Sequence, residues 1–192
     1  MHTPNKGRFA VRIFISGGCK NGKSYYAQRL SKRQKDGPLY YVATMISADH
    51  EDDERIQRHR GEREGWGFIT VEQPRDIADI LRGCEHSGSF LLDSLTALLA
   101  NEMFPPGGDI NENAAQKISG ELIRVIEAIP RIVIVSDYIY SDALRFDPLT
   151  ELYRKSLAAL DSLAAKHCDV VLEAAYTGII THKGGDALHA IR

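Results

Sequence analysis

The run Gly17-Gly18-Cys19-Lys20-Asn21-Gly22-Lys23-Ser24 has the spacing G-x-x-x-x-G-K-[ST], which suits a backbone that must wrap a string of phosphates. Glycines let the chain turn tightly and aim successive N–H groups at phosphate oxygens, while the start of a following helix adds the positive end of its dipole. On that reading Gly17 to Ser24 bind nucleotide, Lys23 reaches the β and γ phosphates, and the Ser24 hydroxyl is offered to Mg²⁺. The thiol of Cys19 has no role, because the variable positions of such a loop need none. Asp93 ends the apolar run Phe90-Leu91-Leu92. There it either holds the same ion, directly or through water, or caps the next helix.

Such a loop works only between a buried strand and a helix, and the flanking residues supply both. Ala10 to Ile15 is apolar and β-branched, and Lys23 to Lys35 carries Tyr26, Ala27 and Leu30 at helical spacing. The order repeats: Leu39 to Thr44 reads as strand, Glu51 to Arg63 as helix, Phe68 to Val71 as strand, Arg75 to Leu81 as helix. Phe90 to Asp93, Ile132 to Ser136 and Val170 to Glu173 are short apolar runs of the kind buried on both faces. Helical patterns at Leu95 to Phe104, Asn111 to Ala128 and Leu149 to Lys166 separate them, and Ile179 to His182 reads as a last strand, antiparallel at an edge. The expectation is an α/β fold of three layers, P-loop NTPase-like, with a mostly parallel sheet and helices on both faces.

A second segment has unusual chemistry. Residues Asp49 to Glu64 place acids first and bases later, as a helix dipole prefers, yet Ile56 is almost their only apolar residue. Arg55, His59 and Arg63 recur every fourth position and share one helical face. Two readings stay open from these residues alone: a solvated surface helix, or a polyphosphate grip in which nearby positive charge keeps His59 neutral and nucleophilic. The remaining histidines show no ligand spacing.

The chain has 192 residues, 43% hydrophobic and 26% charged, with a formal net charge of -2. One domain over residues 1–192 is expected, with 1–9 and 184–192 as loosely held ends. Pro105 to Gly108 reads as an exposed loop within it. No global basic field draws the chain to nucleic acid, so anion binding must be local. No apolar run approaches a membrane span and the first residues lack a secretory pattern, so a cytoplasmic location is expected. Cys19, Cys84 and Cys168 are far apart and suggest neither a disulfide framework nor a zinc site.

Taken together these features resemble the bifunctional adenosylcobinamide kinase and adenosylcobinamide-phosphate guanylyltransferase family of cobalamin biosynthesis, from about Arg12 to Lys183. Four stretches carry the likeness: the loop opened by paired glycines; Tyr41-Val42-Ala43-Thr44; Arg55-Ile56-x-x-His59-Arg60-x-x-Arg63 followed by Trp66 and Thr70-Val71-Glu72; and Leu92-Asp93-Ser94-Leu95-Thr96 with Asn101 downstream. The resemblance implies that His59 and Lys23 are catalytic, His59 taking a guanylyl group from GTP before GMP passes to adenosylcobinamide phosphate. It implies an earlier kinase step on adenosylcobinamide, fed by GTP or ATP. It implies nucleotide contacts at the phosphate loop, Ala43, Thr44, Met45, Arg60, Gly61, Glu62, Arg63, Glu72 and Asp93, with Mg²⁺ at Ser24 and Asp93. Members of the family are typically homo-oligomers, often trimers with a site between subunits.

One departure stands out: after Ile132 to Val135 the family usually has Asn-Glu-Val-Gly, whereas this chain reads Ser136 to Asp142 with tyrosines at 138 and 140. Those rings either stack on a ligand or cover the core. Two other functions therefore remain in view, a small-molecule kinase with another acceptor and a nucleotide-sensing binding protein whose altered loop faces a partner.

Overall fold

A computed structural model of the chain describes residues 10–46, 57, 61, 63–176 and 178–191. Seven strands form one sheet: β1 (Arg12–Gly17), β2 (Leu39–Ala43), β3 (Phe68–Glu72), β4 (Ser89–Asp93), β5 (Ile132–Asp137), β6 (Val170–Ala175) and β7 (Gly178–Lys183). Their order across the sheet is β3-β2-β4-β5-β1-β6-β7. All pairs are parallel except β6 with β7, so the expected mostly parallel sheet with an antiparallel edge is what forms.

Because strand side chains alternate between faces, each apolar strand feeds two cores. Phe14, Val42, Phe90, Leu92, Ile132 and Ile134 pack on one face with residues of α3 (Leu95–Met103), α4 (Ala114–Ala128) and α5 (Pro148–His167). Ile13, Ile15, Leu91, Val133, Val135 and Leu172 pack on the other with α1 (Lys23–Arg33) and α6 (Gly185–Ile191). The helix starts follow local chemistry. Asp147 caps α5 by accepting from the N–H groups of Leu149 and Thr150, with Pro148 in the first turn. Among the described residues no helix is long and apolar enough to cross a membrane.

Two expectations are corrected. The helix expected over Arg75 to Leu81 is instead a 3₁₀ turn, Ile77–Asp79, running into a short α2, Ile80–Gly83. Asp76 takes a left-handed conformation with φ 50°, outside helical geometry, so no helix runs through it from Arg75; its N–H donates to Glu102 Oε1 at 2.8 Å. The end expected to be loose, 184–192, forms α6 over Gly185–Ile191, because Leu188 and Ile191 bury against the α1 face of the sheet. Residues 1–9 lie outside the described residues.

The parallel register has a consequence for the site. Gly17 aligns with Asp137 and Ala174, Ala43 with Asp93 and Glu72, and Asp93 with Val135. The strand ends bearing the sequence candidates therefore line the carboxyl edge of the sheet, where open α/β sheets bind ligands.

Candidate functional site

Gly17 ends β1 where only glycine fits. A Cβ there would lie 2.6 Å from both the Ala174 carbonyl oxygen and the Asn21 side-chain nitrogen. Past it the loop turns through Lys20 at φ 56° and Gly22 at φ 82°. Asn21 braces the turn: its Nδ2 donates to the Ala174 carbonyl at 2.6 Å, and its Oδ1 accepts from the Lys23 N–H at 3.3 Å. Helix α1 then begins with no side-chain cap and no acidic residue in its first turn. Its first N–H groups and dipole thus face the loop with no acid of the helix's own first turn to oppose an incoming anion.

Lys23 is 5% exposed. Its Nζ donates to the Gly18 carbonyl at 2.8 Å and forms an ion pair with Asp137 Oδ1. The lysine expected to reach phosphates is thus held back across the loop by a carboxylate on the neighbouring strand. Asp137 is itself fixed: its N–H donates to Thr96 Oγ1 at 2.8 Å, and the next N–H, of Tyr138, donates to the Gly17 carbonyl at 3.1 Å. Sequence reasoning passed over Asp137 as a site residue. The signal was available, since it follows the apolar run Ile132 to Val135 much as Asp93 follows Phe90 to Leu92.

Asp93 is not the cap of α3; Ser94 is, its hydroxyl accepting from the Ala97 N–H at 3.3 Å. That leaves the Asp93 carboxylate at the sheet edge, where Oδ2 accepts from the Tyr41 hydroxyl at 2.9 Å. Thr44 is fully buried, and its hydroxyl is spent on Ser94, accepting from its N–H at 2.7 Å and donating to its carbonyl at 2.8 Å. Asn101 locks the same turn by donating to the Thr44 carbonyl at 2.6 Å and the Pro74 carbonyl at 3.1 Å. The side chain of Thr44 thereby braces the ends of β2 and β4. Ala43 and Met45 beside it are half-buried, and Glu72 is exposed at the end of β3.

Of the charged face, Arg63 is described and Arg55 and His59 lie outside the described residues, as do Arg60 and Glu62. Arg63 is 7% exposed, with its guanidinium carbon 3.5 Å from the centre of the Tyr41 ring. Three residues on, Trp66 meets the Tyr25 ring of α1 edge-on at 5.7 Å, and Lys32 Nζ lies 4.8 Å above it. Arg63 and Trp66 are thus packed against β2 and α1, while Glu64 and Gly65 between them are exposed. Beside them a cleft of about 850 Å³ is lined by Gly61, Arg63, Glu64, Phe68, Thr70 and Glu72. It gathers three of the expected nucleotide contacts in one place.

The departing loop resolves into two roles. Tyr140 packs on the core and donates its hydroxyl to Asp161 Oδ2 at 2.8 Å. Burial raises the Asp161 carboxyl from its ordinary 3.8 to about 6, and burial beside that acid raises the Tyr140 hydroxyl. Tyr138 sits closer to the phosphate loop, its hydroxyl raised by burial and by Glu173. Both rings line a cavity of about 400 Å³ with Ser16, Glu173 and His182. Among the described residues no cluster of three His, Cys, Asp or Glu side chains could hold a metal. Ser24 and Asp93 carry a hydroxyl and a carboxylate, the oxygen donor types that Mg²⁺ favours.

The family model for cobinamide kinase / cobinamide phosphate guanyltransferase, CobU, matches residues 13–181. The chain belongs to this family. No curated protein matches it. Among solved structures it is similar to the flagellar accessory protein FlaH of Methanocaldococcus jannaschii, at 16% identity over 94% of this chain and 81% of that one, with a TM-score of 0.51. It is also similar to PH0250 of Pyrococcus horikoshii OT3, at 9% identity over 93% and 88% of the two chains, with a TM-score of 0.53. At these identities the two structures speak for the fold alone. Family membership makes the chain an enzyme acting on nucleotides, with a place in cobalamin synthesis.

Proposed function

We propose that the chain phosphorylates adenosylcobinamide and then transfers GMP from GTP to adenosylcobinamide phosphate through a guanylyl group on His59. Family membership supports the pair of activities. The observation that carries the reading to this chain's residues is the attachment of Arg63 to Tyr41. Arg63 follows His59 by four positions in the sequence, and the Tyr41 hydroxyl binds Asp93 at the edge that also holds the phosphate loop. An isolated solvated helix would need no such anchor.

In this reading the loop backbone and the α1 N-terminus bind the triphosphate, and Lys23 leaves Asp137 to meet the β and γ oxygens. Ser24 and Asp93 would hold Mg²⁺, which when bound neutralises phosphate charge. The acceptor hydroxyl attacks the γ phosphorus, forming one P–O bond as the bond to the nucleoside diphosphate breaks. In the second activity an imidazole nitrogen of His59 attacks the α phosphorus of GTP and pyrophosphate leaves. A phosphate oxygen of the acceptor then attacks that phosphorus, the P–N bond breaks, and His59 is regenerated. The resemblance further supports a cytoplasmic homo-oligomer that completes the site between subunits.

Incubation with GTP labelled on the α phosphate tests the intermediate. Acid-labile, base-stable label on the wild type, absent from His59→Ala, is the expected result, and an unlabelled wild type defeats the proposal. The Ser136 to Asp142 departure favours a second reading, a kinase with a different acceptor. It predicts nucleotide binding without phosphorylation of adenosylcobinamide.

A further inference from the structure

The kinase step needs a group that takes the proton from the acceptor hydroxyl, and among the described residues few carboxylates at the sheet edge are in position. Asp93 Oδ2 is engaged by Tyr41, and in the function proposed above Asp93 holds the cation. Glu173 Oε2 pairs with His182 at 2.8 Å on the β7 side of the sheet. Asp161 is 3% exposed beneath Tyr140. Glu72 ends β3, the strand at the opposite edge from β7.

Asp137 differs from all of these. It ends β5, which lies between β1 with the phosphate loop and β4 with Asp93. Its carboxylate contacts the ammonium of Lys23, the group that the terminal phosphates must recruit. Any ligand that Lys23 can hold at the γ position therefore lies within one side chain's reach of Asp137. When the triphosphate draws Lys23 away, the carboxylate loses its buried cation beside the phosphate to be transferred.

We infer that Asp137 is the general base of phosphoryl transfer, held by Lys23 until nucleotide binds. In the step, the acceptor oxygen forms its bond to the γ phosphorus, the bond from that phosphorus to the leaving diphosphate oxygen breaks, and the hydroxyl proton passes to Asp137. The proton then returns to solvent. The inference rests on the kinase half of the function proposed above. Guanylylation makes no such demand, since a neutral imidazole attacks through a lone pair.

The two half-reactions therefore serve as each other's control. In Asp137→Asn, phosphorylation of adenosylcobinamide should slow at least about 100-fold more than labelling of His59 by α-labelled GTP, the scale of a lost general base. Nucleotide Kd should stay within about threefold. Equal losses in both half-reactions overturn the inference and leave Asp137 as a positioning residue for Lys23; an unimpaired kinase also overturns it. Should the amide fold poorly, Asp137→Glu keeps the acid and should hold the ratio of the two rates within about tenfold of wild type, and a collapsed ratio there overturns the role. A wild type that labels His59 but never phosphorylates adenosylcobinamide sinks the kinase reading itself. That result is distinct from a variant-specific failure.

Discussion

The guanidinium of Arg63 stacks on the ring of Tyr41, 3.5 Å from its centre. Since the Tyr41 hydroxyl also donates to Asp93, one tyrosine joins the arginine-rich segment to the acid beside the phosphate loop. The arrangement depends on the planar shape of the guanidinium as much as on its charge.

Arg63→Ala should therefore lower both stability and nucleotide affinity. A desolvated cation–π contact contributes about 2 kcal/mol, which in a chain of this size lowers Tm by about 4–8 °C. Arg63→Lys restores the charge without the stacked plane and should recover less than half of the Tm loss. Differential scanning calorimetry of both variants decides this, and equal stability of Lys and wild type would remove stacking from the account.

Lys23→Ala should do two separable things. Losing the phosphate contact should slow both half-reactions by about 2.7–4 kcal/mol of transition-state stabilisation. It also leaves the buried Asp137 carboxylate without its cation, which destabilises by about 3 kcal/mol. The double variant Lys23→Ala, Asp137→Asn should regain stability without regaining activity. Chemical denaturation of the wild type and both variants alongside rate measurements checks the separation, and a double variant no more stable than Lys23→Ala would contradict the ion pair.

Much of the architecture could be read from local pattern. The glycine spacing of 17–24 and the apolar runs at 90–92 and 132–135 are short-range signals, and their elements form where those signals put them. What escaped was non-local. Asp137 gains its meaning from Lys23 and Tyr41 from Arg63 and Asp93, partners that become neighbours only through the strand order β2-β4-β5-β1. Asp76 takes a left-handed conformation and gives its N–H to Glu102, distant in sequence. The Thr44 hydroxyl is consumed by Ser94, whose position depends on pairing of β2 with β4.

Gly17→Ala tests how closely the loop is packed against β6. The added methyl would lie 2.6 Å from backbone oxygen of Ala174 and from Asn21 Nδ2, so β6 or the brace must move. Overpacking of this kind costs about 1–3 kcal/mol. Because the displaced Asn21 also positions the Lys23 N–H, nucleotide binding should weaken by at least about tenfold, a shift of about 1.4 kcal/mol. Isothermal titration with a nonhydrolysable triphosphate checks this. Gly18→Ala is the control for packing alone and should leave stability unchanged, since a Cβ there meets no protein atom within 4 Å.

Asp161 ties stability to pH. Its carboxyl titrates at about 6 in the folded chain against an ordinary 3.8, because burial disfavours the charge. The folded state therefore binds this proton more tightly than the unfolded state. The stabilisation is fully present below about pH 4 and is lost as pH rises through about 6. At about 1.4 kcal/mol per pH unit, the interval sets a ceiling of about 3 kcal/mol on the loss. Asp161→Asn cannot ionise, yet its amide oxygen can still accept from the Tyr140 hydroxyl. It should equal or fall below wild type in stability at pH 4 and exceed it at pH 8, the difference between variant and wild type shifting by about 2–3 kcal/mol between those limits. Urea unfolding across that range measures the difference, and parallel curves for the two proteins would show that Asp161 does not titrate as a buried acid.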